Sequence, residues 1–198
     1  MTTFQPIRIG VLGTHSTGKT TLLKRMEMEL RGHGLTVART GRLGKRAAEA
    51  GLPKMQHHTA QSTEWIITQG IVDEIGAAAQ GAKVVLVDRA AHDAIAYWHA
   101  ALAFRAETPP RLERERLLAL ASTQLPKYDL VFATVLDERV PVDTSHDYDA
   151  GFRRLVDEHV HRLLANENIS HQRVTSEPGS QAHAVAVAVR LCLKEFLV

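Results

Sequence analysis

Cysteine is almost missing from this chain, with Cys192 the one thiol among 198 residues. An internal disulfide is excluded. The thiol lies in the apolar run Val189-Arg190-Leu191-Cys192-Leu193 and reads as a buried, reduced group. Long uncharged stretches are missing too. The most apolar segment, near the C-terminus, is interrupted by Arg190, Lys194 and Glu195, so no membrane span and no membrane partner are expected. The opening Met1-Thr2-Thr3-Phe4-Gln5-Pro6 lacks a basic segment followed by an apolar one, so no signal peptide is expected. These features together predict a cytoplasmic protein. An excess of one charge is also absent: 24 Lys+Arg against 22 Asp+Glu leave a net +2. A nucleic-acid polymer is therefore not expected as a partner, although local arginines can still bind phosphate groups. The histidines form no metal pattern. His57 and His58 are adjacent, His92 and His99 lie two turns apart, His159 and His161 point to different helix faces, and no Cys/His cluster supports them, so no structural zinc is expected.

What is present alternates regularly. Strand patterns occur at Ile7–Leu12, 35–38, 83–88, 129–134 and 171–175. The run 83–88 is continuously apolar and ends in an acid, as central parallel strands do. Helical patterns lie between them. One begins near Lys19 and places Leu22, Leu23, Met26 and Leu30 on one face before Gly32 and Gly34 stop it. Two occupy 42–80, divided by Gly51-Leu52-Pro53. Others cover 90–104, the charged stretch from Arg111, about 148–165, and a last helix from near Gln181. Neither linkers, repeats nor low-complexity segments interrupt residues 1–198. The expectation is one α/β domain, a three-layer sandwich with a five-stranded parallel sheet.

The string Gly13-Thr14-His15-Ser16-Thr17-Gly18-Lys19-Thr20 matches G-x-x-x-x-G-K-[ST] in full, after a strand and at the start of a helix. By chance the pattern would occur in roughly one chain in a hundred of this length. The glycines let the backbone curl so that successive N–H groups converge on phosphate oxygens, and the following helix adds its positive end. The pattern assigns Lys19 to the β- and γ-phosphates and the Thr20 hydroxyl to Mg²⁺. Gly13, His15, Ser16, Thr17, Gly18, Lys19, Thr20 and Thr21 are the candidate nucleotide contacts.

Asp88 ends the third strand, on the sheet edge where α/β proteins bind ligands. It is a candidate for Mg²⁺ binding and for general base; the competing reading is a helix N-cap, because Ala90 opens a helix. Arg89 is a candidate phosphate clamp. Asp93, one turn further on, reads equally well as a surface acid. Trp65 and Trp98 read as core, with Trp98 also able to line a base pocket. The polar stretch 137–154 reads as a lid that could bring Arg153, Arg139 or Arg154 to the transferring phosphoryl group.

The string from Gly13 to Leu22 resembles the opening of the P-loop kinase-like group that contains the nicotinamide riboside kinase domain. Val87-Asp88-Arg89 with Asp93 and Tyr97 is similar to the Asp-Arg motif of thymidylate and nucleoside kinases. Tyr128-Asp129-Leu130-Val131-Phe132 resembles the group's fourth strand, and Asp147-Tyr148-Asp149-Ala150-Gly151-Phe152-Arg153 its lid entry. The resemblance implies transfer of a phosphoryl group from ATP (or GTP), with Mg²⁺, to a nucleoside, nucleotide or similar small acceptor. Lys19, Asp88, Arg89 and Arg153 would be the catalytic residues, and Thr20 and Asp88 the metal ligands. A homodimer stays open. Many members carry a glutamate just after the second strand. Here that region reads Val37-Ala38-Arg39-Thr40-Gly41-Arg42, without an acid, which leaves Asp88 as the candidate base and Arg39 or Arg42 to attract a phosphorylated acceptor. The alternative function is an NTP-hydrolysing switch or regulatory protein, although the Asn-Lys-x-Asp motif of GTPase switches is absent.

Overall fold

The structure is a computed structural model that describes residues 5–140 and 149–196. Its strands are β1 (Ile7–Leu12), β2 (Val37–Thr40), β3 (Val84–Asp88), β4 (Leu130–Thr134) and β5 (Gln172–Val174). Its helices are α1 (Lys19–Gly32), α2 (Leu43–Glu49), α3 (Ala60–Ala79), α4 (Ala91–Phe104), α5 (Arg111–Ser122), α6 (Ala150–Asn166) and α7 (Pro178–Phe196), with short 3-10 turns at Met55–His57 and Leu125–Lys127. The strands form one parallel sheet in the order β2-β3-β1-β4-β5. The expected five-stranded three-layer architecture is therefore present.

Alternation along the strands sorts the core onto the two sheet faces. Ile7, Ile9, Val11, Val84, Leu86 and Phe132 pack under α1 and α7, against Leu22, Leu23, Met26, Ala188 and Cys192. Val85, Val87, Val131 and Ala133 pack on the other face, beneath the helices that carry Ile67, Ile95, Trp98, Leu117, Phe152 and Val160. Trp98 is 2% exposed in this second layer. Arg8 interrupts the apolar pattern there. Its guanidinium pairs with buried Glu74 at 3.7 Å, and the Tyr128 hydroxyl donates to Glu74 at 2.9 Å. Burial raises the Glu74 carboxyl above its usual range, with Tyr128 and Arg8 opposing the shift.

Boundaries differ from expectation by more than one residue at three places. The second strand starts at Val37, because Leu35 closes the turn after α1 by donating its N–H to the Leu30 carbonyl at 3.1 Å. It then continues to Thr40, with Arg39 opposite Leu86 and Thr40 opposite Val87. The last helix begins at Pro178, a residue whose missing N–H costs nothing in a first turn. The sixth helix begins at Ala150 under an Asp149 cap, whose carboxylate accepts the Phe152 N–H at 2.7 Å, an arrangement worth about 1 kcal/mol. Residues 141–148 of the stretch read as a lid lie outside the described residues. Among the described residues no helix is long and apolar enough to cross a membrane.

Candidate functional site

The loop 13–20 joins the C-terminal end of β1 to α1. Three of its residues have left-handed or related backbone: Gly13 at φ 140°, Ser16 at φ 55° and Gly18 at φ 81°. At Gly13 an added Cβ would stand 2.0 Å from Thr134 Oγ1 and 3.1 Å from the Thr134 carbonyl oxygen, so a side chain there would displace Thr134. Thr134, at the end of the neighbouring β4, fixes the loop from below. Its hydroxyl lies 3.1 Å from the Leu12 carbonyl and 2.6 Å from the Thr17 hydroxyl, which lies 2.9 Å from the Thr14 carbonyl; one of the two hydroxyls donates to the other, and the other donates to its carbonyl. Asp93 accepts the Gly13 N–H at 2.8 Å. The first turn of α1 carries no acid of its own, so its positive end is left for an anion.

Lys19 is 5% exposed. Its ammonium donates to the Gly13 carbonyl at 2.7 Å and to the Thr14 carbonyl. Burial lowers it to about 7, with the Arg89 charge adding to the shift and Asp93 and Asp88 opposing it. The Thr20 hydroxyl donates to Asp88 Oδ2 at 3.1 Å. Asp88 does not cap α4, because the cap position falls on Ala90 and has no side-chain cap. Arg89, at φ 72°, donates to Asp93 Oδ2 at 3.0 Å and lies 4.7 Å from the Tyr97 ring centroid. Asp93 is 1% exposed, so the surface reading of this acid is overturned. Burial raises its carboxyl above the usual range, while Arg89, Lys19 and the Gly13 N–H pull it back.

The remaining expected residues are distributed unevenly. Ser16, Gly18, Thr20, Thr21, Asp88, Arg89 and His15 face a cavity of about 1040 Å³, together with Lys19. Gly13 and Thr17 lie beneath it as framework. Arg153, in the first turn of α6, is 3% exposed and donates to the carbonyls of His15 at 3.2 Å and Ser16 at 2.9 Å. It grips the backbone of the loop from outside the cavity lining. Arg139 pairs with Asp137 at 2.9 Å, and Arg154 with Glu138 at 3.6 Å. The His15 imidazole is lowered to about 4 by burial, with Arg89, Lys19 and Arg153 contributing.

From the loop the cavity runs past Asp88 to the wall formed by β2, α2 and the turn before α3, where it meets Arg39, Arg42, Leu43, Lys54, Met55 and His58. His58 and Thr134 were not among the expected site residues. Thr134 carried a usable signal, as a hydroxyl residue ending a strand on the ligand-binding edge. His58 carried none beyond its neighbour His57. Among the described residues no group of three or more His, Cys, Asp or Glu side chains could cage a metal.

A sequence model of the family described as AAA domain matches residues 8–181. The chain belongs to that family. Among solved structures it is similar to the NadR protein in complex with NAD and AMP-PNP, at 19% identity and a TM-score of 0.67, covering 95% of this chain and 49% of that one. It is also similar to the NadR protein in complex with NR, at 17% identity and a TM-score of 0.62, covering 98% of this chain and 51% of that one. The chain thus spans about half the length of these neighbours. No curated protein matches it. Family and neighbours agree on the fold, an α/β P-loop domain.

Proposed function

We propose that this domain transfers the γ-phosphoryl group of ATP to a small molecule of nucleoside or nucleotide type. One observation carries this reading over plain hydrolysis: the cavity of about 1040 Å³ continues beyond Lys19, Thr20 and Asp88 to a second wall. Water needs no such chamber, whereas volumes of roughly 300–1,000 Å³ hold small organic ligands. The NadR neighbours, whose structures contain AMP-PNP in one case and NR in the other, support the same two-substrate arrangement.

The roles follow from the chemistry. Backbone N–H groups of the loop and the start of α1 bind the phosphates. Lys19 supplies a point charge to the β- and γ-oxygens. Arg89, held by Asp93 and Tyr97, supplies a second, pre-oriented charge as the phosphoryl group moves. Asp93 and Arg153 position the loop from either side. Thr20 and Asp88 suit Mg²⁺, because a hydroxyl and a carboxylate 3.1 Å apart are hard oxygen donors, and this ion takes one or two such groups with the phosphates supplying more. When bound, Mg²⁺ neutralises charge on the phosphate oxygens. The free Asp88 oxygen is the candidate to receive the proton of an attacking hydroxyl.

The test is a screen of nucleosides and nucleotides for ATP-dependent phosphorylation, with an acceptor-free control for phosphate release. Transfer to one acceptor class in excess of that control is expected. Phosphate release unaffected by every acceptor would replace this reading with the hydrolysing switch.

A further inference from the structure

The wall opposite the phosphate loop is strongly cationic. Arg39, Arg42, Lys45 and Lys54 all line it, while the acids facing the cavity among the described residues are Asp88 and Asp93. Asp93 is already occupied by the Gly13 N–H and by Arg89. Two of the four cations have partners of their own, Arg39 with Glu27 at 3.6 Å and Lys45 with Glu49 at 3.6 Å. The Arg42 and Lys54 side chains have none among the described residues, although both line the cavity. They stand on the loop after β2 and on the turn before α3, away from the loop that would hold the donor. Gly41 ties this wall to the chemistry: a Cβ placed on it would lie 3.0 Å from the Asp88 Cβ. Arg42 follows it directly, at φ 59°.

His58 adds a second signal. It is 3% exposed and lines the cavity, and its Nε2 has no hydrogen-bond partner. The segment holding it is fixed, because Arg105 donates to the carbonyls of Gln56 at 2.5 Å and His58 at 3.3 Å. Burial lowers its imidazole to about 4, with Arg89 and Arg105 contributing. It is therefore neutral at physiological pH and can donate or accept one hydrogen bond from the cavity. Buried polar atoms in folded proteins normally have a partner, and a hydroxyl-bearing ligand would provide it. Leu43, Met55, Ile66 and Ala94 complete this end with apolar surface.

We infer that the acceptor is a small molecule bearing a phosphate monoester, its phosphate held between Arg42 and Lys54 and a hydroxyl group held by His58. This inference rests on the proposed phosphoryl transfer. The transfer keeps its balance: an acceptor oxygen forms the new P–O bond, the bond from the γ-phosphorus to the β,γ-bridging oxygen breaks, the acceptor proton passes to Asp88, and ADP leaves. A nucleotide and a sugar phosphate offer the same chemistry, and the experiment separates them.

The test is calorimetric. The protein is first saturated with a non-hydrolysable ATP analogue and Mg²⁺, then titrated with the four ribonucleoside 5′-monophosphates, the matching nucleosides and ribose 5-phosphate. At least one monophosphate should bind about tenfold or more tightly than its nucleoside, the scale of one charge-assisted contact. R42Q/K54Q, two exposed positions, should abolish that preference while the circular dichroism stays unchanged. H58F, which keeps a ring in place, should weaken the monophosphate at constant phosphate preference. Ribose 5-phosphate binding as tightly as the nucleotides would support the inference with a sugar phosphate as acceptor. Nucleosides binding as tightly as monophosphates, or a preference that survives R42Q/K54Q, would overturn it. So would monophosphates that bind only when the analogue is absent, since the cations would then serve the donor. Failure of the analogue itself to bind is a separate result, which removes the proposed function and this inference with it.

Discussion

Nucleotide binding to this domain should take up a proton, and the amount should depend on pH in a defined way. Lys19 is lowered to about 7 by burial and by the Arg89 charge, while an ordinary lysine titrates near 10.4. The depressed value means that the nucleotide-free fold loses this contribution as pH falls through about 7 and keeps it fully only above the ordinary lysine value. A triphosphate against the ammonium reverses the balance, because it favours the charged form. At pH 8 only about one-tenth of Lys19 is protonated before binding and nearly all of it afterwards, an uptake of about 0.9 proton. At pH 6 most of it is already charged, and the uptake falls to about 0.1 proton. The assay is calorimetric binding of a non-hydrolysable ATP analogue in buffers of different ionisation enthalpy. The slope of observed enthalpy against that ionisation enthalpy is the number of protons taken up. An uptake that is absent at pH 8, or the same at pH 6 and pH 8, would refute the reasoning. Lys19→Met removes the titrating group and should remove the pH dependence even where weak binding survives.

Two further outcomes are expected. Asp88→Asn keeps an oxygen to accept the Thr20 hydroxyl, so nucleotide affinity should hold while the turnover rate falls about a hundredfold or more; a wild-type rate would remove Asp88 from the chemistry. The fold should also be acid-labile, because burial holds His15, His58, His92 and His99 at about 4 instead of 6.5. Their depressed values contribute stability that is whole above pH 6.5 and is lost as pH falls through about 4. For His58 and His92, 3% and 1% exposed, each shift corresponds to about 3 kcal/mol. The urea midpoint should therefore drop steeply between pH 6.5 and pH 4; a midpoint unchanged over that range would show that these rings reach solvent.

The architecture was legible because its signals are local. Each strand of the central sheet is a short apolar run, and the helix that follows repeats its apolar positions every three or four residues. What was illegible at this level depended on turns. Leu35 is apolar and buried and follows a glycine stop, so it reads as strand, yet its N–H closes the end of α1. That one bond moves β2 by two residues and carries Arg39 and Thr40 into the sheet. Arg8 and Glu74 show the opposite difficulty. Each is a charged residue in an otherwise regular pattern, and nothing in either segment indicates that the two meet in the core across 66 positions of sequence.

The same distinction explains which half of the candidate site could be read in advance. The phosphate loop is specified by backbone conformation, and backbone conformation is written into consecutive residues: glycine where φ is positive, lysine and threonine at the first turn of a helix. Asp88 and Arg89 inherit their visibility from standing at the end of a strand. The opposite wall has no such local grammar. Arg42 and Lys54 read as ordinary exposed cations until the fold places both on the cavity that Asp88 also lines. His58 is one of eleven histidines, and Arg105, from the far end of α4, holds its segment at the cavity. Even Asp93, beside the legible motif, reads as a surface acid until Gly13 is seen to donate to it. The phosphate loop is thus a continuous motif, whereas the wall proposed to bind an acceptor is made of side chains from separate segments. Under the proposed phosphoryl transfer, substitutions at that wall would change the acceptor without touching the loop that holds the donor, and the charge of the wall is where the acceptor's identity would be sought.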